Sequence, residues 1–136
     1  MAAELVIIEL VGTTPGCPIS YTVADAGAIP KGTLIQLTDP RTASAHSGGS
    51  QPIIGVAATE KVASDGQTRL AVYTNGIFDV TAAAAGVTAI GKICMCSATA
   101  NMITAADGAG ILGGYVVGQC LEAHANDEVA AVRILK

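Results

Sequence analysis

Residues 52–80, PIIGVAATEKVASDGQTRLAVYTNGIFDV, decide the fold class of this chain. Three short runs of β-branched and apolar residues predict strands, at positions 53–59, 69–73 and 77–80. The triplet Ser64, Asp65 and Gly66 predicts the first turn between them. Asn75 and Gly76 predict the second, because both positions accept positive φ and the twist of such a turn matches that of the flanking strands. The stretch therefore predicts a three-stranded meander, and no catalytic residue type is concentrated in it.

The rest of the chain continues this pattern of short extended segments between turns that contain Gly, Pro or Asp. Further strands are predicted at residues 4–11, 19–24, 33–37, 92–96, 101–104, 115–121 and 128–135. Only the TAAAAG run at 81–86 is compatible with a helical turn. Short, regularly spaced strands predict an all-β fold, a small β-barrel or β-sandwich with long Gly/Ser loops, little helix and an N-terminal arm. The 136 residues fit an arm at 1–16 and a single β domain at 17–136.

The two halves of the chain resemble each other weakly. AIPKGTLIQL (28–37) resembles VTAIGKICMC (87–96), and IIGVAATEKVASDGQTRLAV (53–72) resembles VVGQCLEAHANDEVAAVRIL (116–135). The alignment pairs Gly32 with Gly91, Gly55 with Gly118 and, after one gap, Asp65 with Asp127. The repeat predicts a duplicated β unit whose two halves close around one core.

The first predicted strand is apolar on both faces. Leu5 and Ile7 lie on one face, whereas Val6, Ile8 and Leu10 lie on the other. A strand of this kind needs cover on both sides, which the edge of its own sheet does not provide. We therefore expect an arm that pairs with a neighbouring chain, and these five residues are candidate contacts with a partner.

Residues 38–51, TDPRTASAHSGGSQ, form the one long polar segment and are predicted to be a loop. Two interpretations remain open for it, a solvated loop or a contact surface for a partner. On the second interpretation Arg41 and His46 are candidate contact residues.

The composition excludes several functional classes. Only 13% of residues are charged, the net charge is -4, and the seven Lys and Arg residues are scattered, which argues against binding of nucleic acid. With no Trp, one Phe and three Tyr, platforms for stacking bases or sugars are scarce. The start of the chain predicts neither a signal peptide nor a membrane span. A surface so poor in charge is expected to be partly covered by other subunits.

Patterns that suggest catalysis or cofactor binding have structural explanations. Residues 108–113 match the GxGxxG pattern of dinucleotide-binding loops, but the sequence that follows is β-branched and broken by glycine, where that site needs a helix. Ser44, His46 and Ser47 lack a carboxylate in a plausible third place, and GxSxG is absent. We therefore expect no enzymatic activity and no cofactor.

The cysteines are expected to be reduced, because the chain has no CxxC pair and no secretory context. Cys94 and Cys96 share one face of a strand, but a zinc site needs two more ligands, which only Cys17, Cys120, His46 or His124 offer. Small buried thiols are the favoured interpretation, and no metal is predicted.

Several longer segments resemble a known family. SYTVADAGAIPKGTLIQLTDPRTAS (20–44), QPIIGVAATEKVASDGQTRLAVYTNGIFDV (51–80), AIGKICMC (89–96) and GYVVGQCLEAHANDEVAAVRIL (114–135) are similar to the small cement, or decoration, proteins of tailed-phage capsids. The resemblance covers about 19–135 and leaves out the first 16 residues.

The resemblance implies a mostly β homotrimer on the outer face of a phage head. Such a protein sits at three-fold and quasi-three-fold positions, clamps neighbouring major capsid protein subunits after expansion, and has no cofactor and no catalytic residues. It also implies synthesis in the host cytoplasm and a final location on the virion surface, with no nucleic-acid or membrane partner.

Two alternatives remain from the residues alone. One is a β-sandwich binding module of another virion assembly, such as a fibre base or a glycan-binding domain, against which the scarce aromatic residues count. The other is a small enzyme or redox protein that uses the cysteines.

Overall fold

Strands make up nearly all regular structure in the computed structural model, which describes residues 5–9, 18–83, 90–123 and 125–135. The strands are β1 (Val6–Glu9), β2 (Ile19–Thr22), β3 (Leu34–Asp39), β4 (Thr42–Ala45), β5 (Ile53–Ala57), β6 (Arg69–Tyr73), β7 (Asn75–Ala82), β8 (Ile93–Cys96), β9 (Met102–Ala105), β10 (Val116–Cys120) and β11 (Val129–Leu135). One short helix, α1 (Gly108–Leu112), lies between β9 and β10. The predicted all-β class with little helix is confirmed.

Strands β2–β6 and β7–β11 form two consecutive barrels of the same topology. The strand order is β2-β4-β3-β5-β6 around the first barrel, and the corresponding order around the second is β7-β9-β8-β10-β11. In each barrel the first and third strands are parallel, and all other neighbours are antiparallel. The predicted duplication is therefore confirmed, but each repeat closes its own barrel instead of half of a shared one.

The paired glycines of the repeat occupy equivalent places. Gly32 and Gly91 have φ of 83° and 81°, and each lies two residues before the second strand of its barrel. Their N–H groups donate to the carbonyls of Ala57 and Cys120, the last residues of the two fourth strands, at 3.0 and 2.8 Å. A left-handed turn that only glycine adopts at little cost thus begins the same hairpin in both halves.

Two apolar clusters fill the molecule. The first barrel encloses Val23, Ile29, Ile35, Ala43, Ala57, Leu70 and Val72. The second cluster fills the second barrel and extends across the contact to include Leu34, Ile53 and Val56 of the first. Leu34 and Ile35 are neighbours in β3, and both are fully buried. Leu34 packs in the cluster of the second barrel, whereas Ile35 packs in the cluster of the first barrel. The two barrels therefore share an apolar seam.

The predicted hairpin at Asn75 and Gly76 is wrong. Strands β5 and β6 pair as expected, but β7 belongs to the second barrel and pairs with β1, β9 and β11. A hairpin turn of this type needs positive φ at both central residues. Here only Gly76 has positive φ, at 154°, and it lies within strand β7. Both residues begin β7, and Thr74 alone separates the two barrels.

The prediction that residues 38–51 form a single loop is wrong in part, because β4 lies within this segment. The turn after Asp39 is tight, with Arg41 at φ 53°, and the chain returns antiparallel to β3. Ala43 in β4 is buried in the first barrel, so small residues that look loop-like in sequence face the core here. The segment that remains a loop is 46–52.

The single helix also differs from expectation. Only residues 81–86 were compatible with a helical turn, but α1 lies in the Gly-rich segment 108–113, and Asp107 caps its N-terminus through a side-chain bond from the Gly110 N–H. Thr81 and Ala82 of the expected helical turn are the last residues of β7, and the rest of that turn, apart from Ala83, falls outside the described residues. The GxGxxG match comprises this five-residue helix and its C-cap, Gly113, and a strand follows it, so the arrangement of a dinucleotide-binding site is not formed.

Candidate functional site

Strand β1 joins the two barrels. It pairs antiparallel with β7, with Val6 opposite Asp79 and Ile7 opposite Phe78. The Leu5 N–H donates to the Gly32 carbonyl of the first barrel at 2.9 Å. The strand therefore lies on its own sheet, which differs from the expectation that it would pair with a neighbouring chain.

The two faces of β1 have different surroundings. Leu5 is buried, and Ile7 packs against the same apolar cluster. Val6 is 59% exposed on the other face. The side chain of Ile8, and Leu10 as a whole, lie outside the described residues, so the prediction for these two is untested. Of the predicted contact residues in this segment, Val6 has its side chain available to a partner.

Gly32 makes the contact between β1 and the first barrel possible. A Cβ at this position would lie 2.7 Å from the Leu5 carbonyl oxygen, closer than real Cβ atoms approach. A cleft of about 280 Å³ opens beside the contact and is lined by Leu5, Val6, Ile7, Lys31, Gly32, Val56 and Ala57. The repeat identified this glycine in sequence, but not its role in holding the N-terminal strand.

Arg41 lies at an exposed turn beside the edge of β2. Its carbonyl accepts from the Thr22 N–H at 3.0 Å, where β2 and β4 meet in parallel. Across β2, the Arg69 guanidinium donates to the hydroxyls of Ser20 and Thr22, both at 3.1 Å. The exposed Arg41 and the Arg69 guanidinium thus both lie near β2, although only Arg41 was expected at a contact surface.

His46 lies inside the molecule, not on its surface. It is buried, and its ring Nε2 is 3.0 Å from the Gly49 carbonyl oxygen, so this nitrogen carries the proton that it donates. The same carbonyl accepts from the Cys96 thiol at 3.3 Å, and the Gly49 N–H donates to the Ser97 carbonyl at 3.0 Å. His46 therefore helps to hold loop 46–52 against the second barrel.

A buried ammonium group lies in the loop between β5 and β6 of the first barrel. Lys61 Nζ donates to the carbonyls of Asp25 and Val62 at 2.8 and 3.0 Å and to the Asp65 carboxylate at 3.1 Å. The Gln67 backbone N–H and the Lys61 ammonium hold the pKa of Asp65 below its usual value. All three Nζ protons have acceptors, which makes burial of this charge tolerable. The sequence carried no signal for it, since Lys61 stands in a polar loop.

Cys94, Cys96 and Cys120 are free and buried, which confirms the interpretation of Cys94 and Cys96 as small core residues. A hydrogen bond with Cys120 and burial raise the pKa of the Cys94 thiol, so it stays protonated at neutral pH and is a poor nucleophile. Cys17 and His124 lie outside the described residues. Within the described ranges, no three His, Cys, Asp or Glu side chains are placed to hold a metal ion.

Apolar side chains are exposed over much of the surface. The large ones are Val6, Ile19, Val62, Ile90, Ile93, Ile111, Leu112, Leu121 and Val129. Ile93 also borders a shallow cleft of about 310 Å³ on the outside of the second barrel, with Val116, Gly118, Gln119 and Arg133. In the part of the chain that is described, no helix has the length and apolar character needed to cross a membrane. This distribution favours contacts with other protein surfaces over a catalytic cleft.

Comparison with known proteins supports this interpretation. The family model for phage cement proteins matches residues 13–134, which include both barrels and exclude β1. No curated protein matches the chain significantly. The match covers most of the chain, and the all-β fold agrees with the fold that the resemblance implied. The chain therefore belongs to the phage cement protein family, whose members are structural components of the virion capsid.

Proposed function

We propose that this protein binds the outside of a phage head as a homotrimer at three-fold and quasi-three-fold positions and stabilises the lattice of the major capsid protein. The family match over residues 13–134 carries the proposal. The low charge content and the exposed apolar side chains support it, since such a surface is well suited to contacts with further subunits. The protein performs no catalysis and needs no cofactor. It is made in the host cytoplasm before it reaches the virion.

The mechanism is multivalent attachment. A trimer that contacts several shell subunits at once gains avidity from contacts that are individually weak. Separation of those subunits requires the contacts to break together, which stabilises the shell.

The proposed contact surface includes the exposed face of β1, represented by Val6, and the turn at Arg41. Leu5 and Ile7 do not contact the partner in this proposal but pack on the core and hold β1 in place. His46 likewise makes no direct contact and instead positions loop 46–52 through its bond to Gly49. Ile8 and Leu10 belong to the proposal on their sequence pattern alone.

Binding to expanded heads that lack this protein tests the proposal. The wild-type protein is expected to bind and to raise the temperature at which the heads disrupt. Val6→Lys is expected to bind about ten-fold more weakly, since an exposed apolar contact is replaced by a charge that must be desolvated. Co-sedimentation of labelled protein over a concentration series measures both.

Val62→Lys is the matched control, because Val62 is equally exposed, at 60%, but lies in the loop between β5 and β6. It is expected to bind as the wild type does. Equal weakening by both substitutions would argue against a specific role of β1, and failure of the wild-type protein to bind heads or to protect them would overturn the proposed function.

A further inference from the structure

The equivalence of the two barrels can be traced bond by bond near their first strands. The Val23 N–H donates to the Thr68 carbonyl at 2.9 Å, and in the second barrel the Ala82 N–H donates to the Glu128 carbonyl at the same distance. One residue earlier in each barrel, the parallel bridge pairs Thr22 with Thr42 and Thr81 with Met102.

By the same count, Ser20 in β2 corresponds to Asp79 in β7. In the second barrel this position is covered, because Asp79 is opposite Val6 of β1. Besides β9 and β11 of its own barrel, β7 therefore has a third partner, β1, which is not part of either repeat.

In the first barrel the corresponding edge of β2 is open. On one side β2 pairs with β6 along all four of its residues, but on the other side it meets β4 only at Thr22. Successive residues of a strand direct their N–H and C=O groups to opposite sides. Because the Thr22 N–H donates to Arg41 on the β4 side, both backbone groups of Ser20 also point there, and within the described residues no strand pairs with them. Ile19 and Ser20 are exposed.

We propose that the open edge of β2, at residues 19–21, is a docking site for an extended segment of the shell protein, which adds to the first barrel as β1 adds to the second. This inference rests on the proposed function and identifies a contact for it. Recognition is through the main chain, with the added strand antiparallel to β2. The Arg69 guanidinium contacts the side chains of Ser20 and Thr22, and the exposed Arg41 bonds Thr22 through its carbonyl, so the segment is expected to carry an acidic side chain near this edge.

The number of strands favours a shell protein over a second copy as the occupant. In the described part of the chain there are two equivalent edges, on β2 and on β7, but a single strand of the β1 kind, and β1 already occupies the edge of β7 in its own chain. Among the described residues, an assembly of identical copies therefore has no spare β1 for the edge of β2, which favours a segment of the shell protein as the added strand.

Ser20→Pro tests the site. Proline removes the N–H that faces the open edge and leaves the ladder with β6 intact, because that ladder uses the N–H groups of the neighbouring residues. Ser20→Ala is the control, since it removes the hydroxyl that Arg69 contacts but keeps the N–H. In the head-binding assay we expect Ser20→Pro to bind about ten-fold more weakly and Ser20→Ala within about two-fold of wild type.

Residue-resolved amide exchange provides a second measurement that needs no variant. In the free wild-type protein the Ser20 amide is expected to exchange much faster than that of Thr22, and on heads its exchange is expected to slow. This readout decides the question if Ser20→Pro fails to fold, as judged by its thermal unfolding.

Four results would overturn the proposal. Ser20→Pro could bind heads as wild type does, or Ser20→Ala could weaken binding equally, which would assign the effect to the hydroxyl. Slow exchange of Ser20 in the free protein would show that the chain covers this edge itself. A change of native mass in Ser20→Pro, absent in Ser20→Ala, would identify a second copy as the occupant. Failure of wild-type protein to bind heads would instead overturn the proposed function on which the site rests.

Discussion

At the scale of single residues, Lys61 shows how a polar side chain can act as a core residue. Its ammonium group is fully buried and links the loops after β2 and β5 through three oxygen acceptors. The side chain is buried along its whole length, and its charged end is satisfied by acceptors of the chain itself. Removal of the charge takes a donor from each acceptor, although the Asp25 carbonyl and the Asp65 carboxylate keep bonds from the backbone N–H groups of Ser64 and Gln67, at 2.8 and 2.9 Å. The loss of a donor to a buried acceptor costs more than the net contribution of one ordinary hydrogen bond.

Lys61→Met is therefore expected to lower the free energy of unfolding by about 1–3 kcal/mol, because the Met side chain keeps the volume but donates nothing to the Asp25 and Val62 carbonyls or to Asp65. Urea denaturation measures the change. Lys92→Met is the control, since Lys92 is exposed, and it is expected to change stability by less than about 0.5 kcal/mol. Similar values for the two variants would show that the buried ammonium contributes no more than a surface one.

Residue-level prediction from sequence succeeded for glycines and failed for polar side chains. Gly32 and Gly91 were paired by the repeat, and a glycine leaves a visible signal because few other residues adopt its backbone conformation. His46 and Lys61 carried no signal of burial, since a polar residue in a polar segment looks exposed until its acceptors are known. Arg41 was expected at a surface and is exposed, but its neighbour across β2, Arg69, comes from a distant strand and was not foreseen.

At the scale of elements, β1 was predicted correctly as a strand, but its pairing partner in the structure differs from the expected one. The alternation of apolar residues predicted the strand, and residues 6–9 form it. Its partner depends on β7, which lies about 70 residues later in the chain and has an edge that only the folded second barrel creates. The hairpin at Asn75 and Gly76 failed for a related reason, because local turn preference was overridden when the chain left one barrel to start the next.

Gly32→Ala tests how β1 is held. The added Cβ would press on the Leu5 carbonyl, and alanine at φ 83° is strained in addition, so the free energy of unfolding is expected to fall by about 1–3 kcal/mol. The amide of Leu5 should also exchange faster. Thermal unfolding and amide exchange measure the two effects.

The matched control is Gly27→Ala. A Cβ at Gly27 would have no heavy atom within 4 Å, and Gly27 is not at positive φ. This variant is expected to be neutral or more stable by up to about 1 kcal/mol. If Gly32→Ala behaved in the same way, the close contact between Gly32 and β1 would not be important for stability.

At the scale of the whole molecule, the duplication explains most of what could be anticipated. Weak similarity between the halves predicted two related units, and their strand orders are the same. That each unit closes its own barrel could not be read from sequence, because closure depends on a parallel pairing between first and third strands that leaves no local pattern. The proposed docking site likewise could not be predicted, because it depends on which strand edge remains unpaired after the first barrel has closed.

The proposed assembly predicts the native mass of the protein in solution. We expect a stable species of three times the chain mass of 13.5 kDa, because trimer contacts would cover part of a surface that is poor in charge and carries exposed apolar side chains. Native mass spectrometry and light scattering at several concentrations measure it. A stable monomer over the whole range would contradict a trimer that forms before the head is bound.

The junction at Thr74 has a mechanical consequence. The chain passes from one barrel to the other through this single residue, and the apolar seam that includes Leu34 and Ile53 also joins the barrels. There is no linker to stretch, so a pull on one barrel is transmitted at once to the other, and the two can separate only if the seam itself is broken. In the proposed assembly on a phage head, the two barrels of each bound molecule would therefore keep a fixed separation, and the spacing of the shell subunits that they contact would be set by this protein.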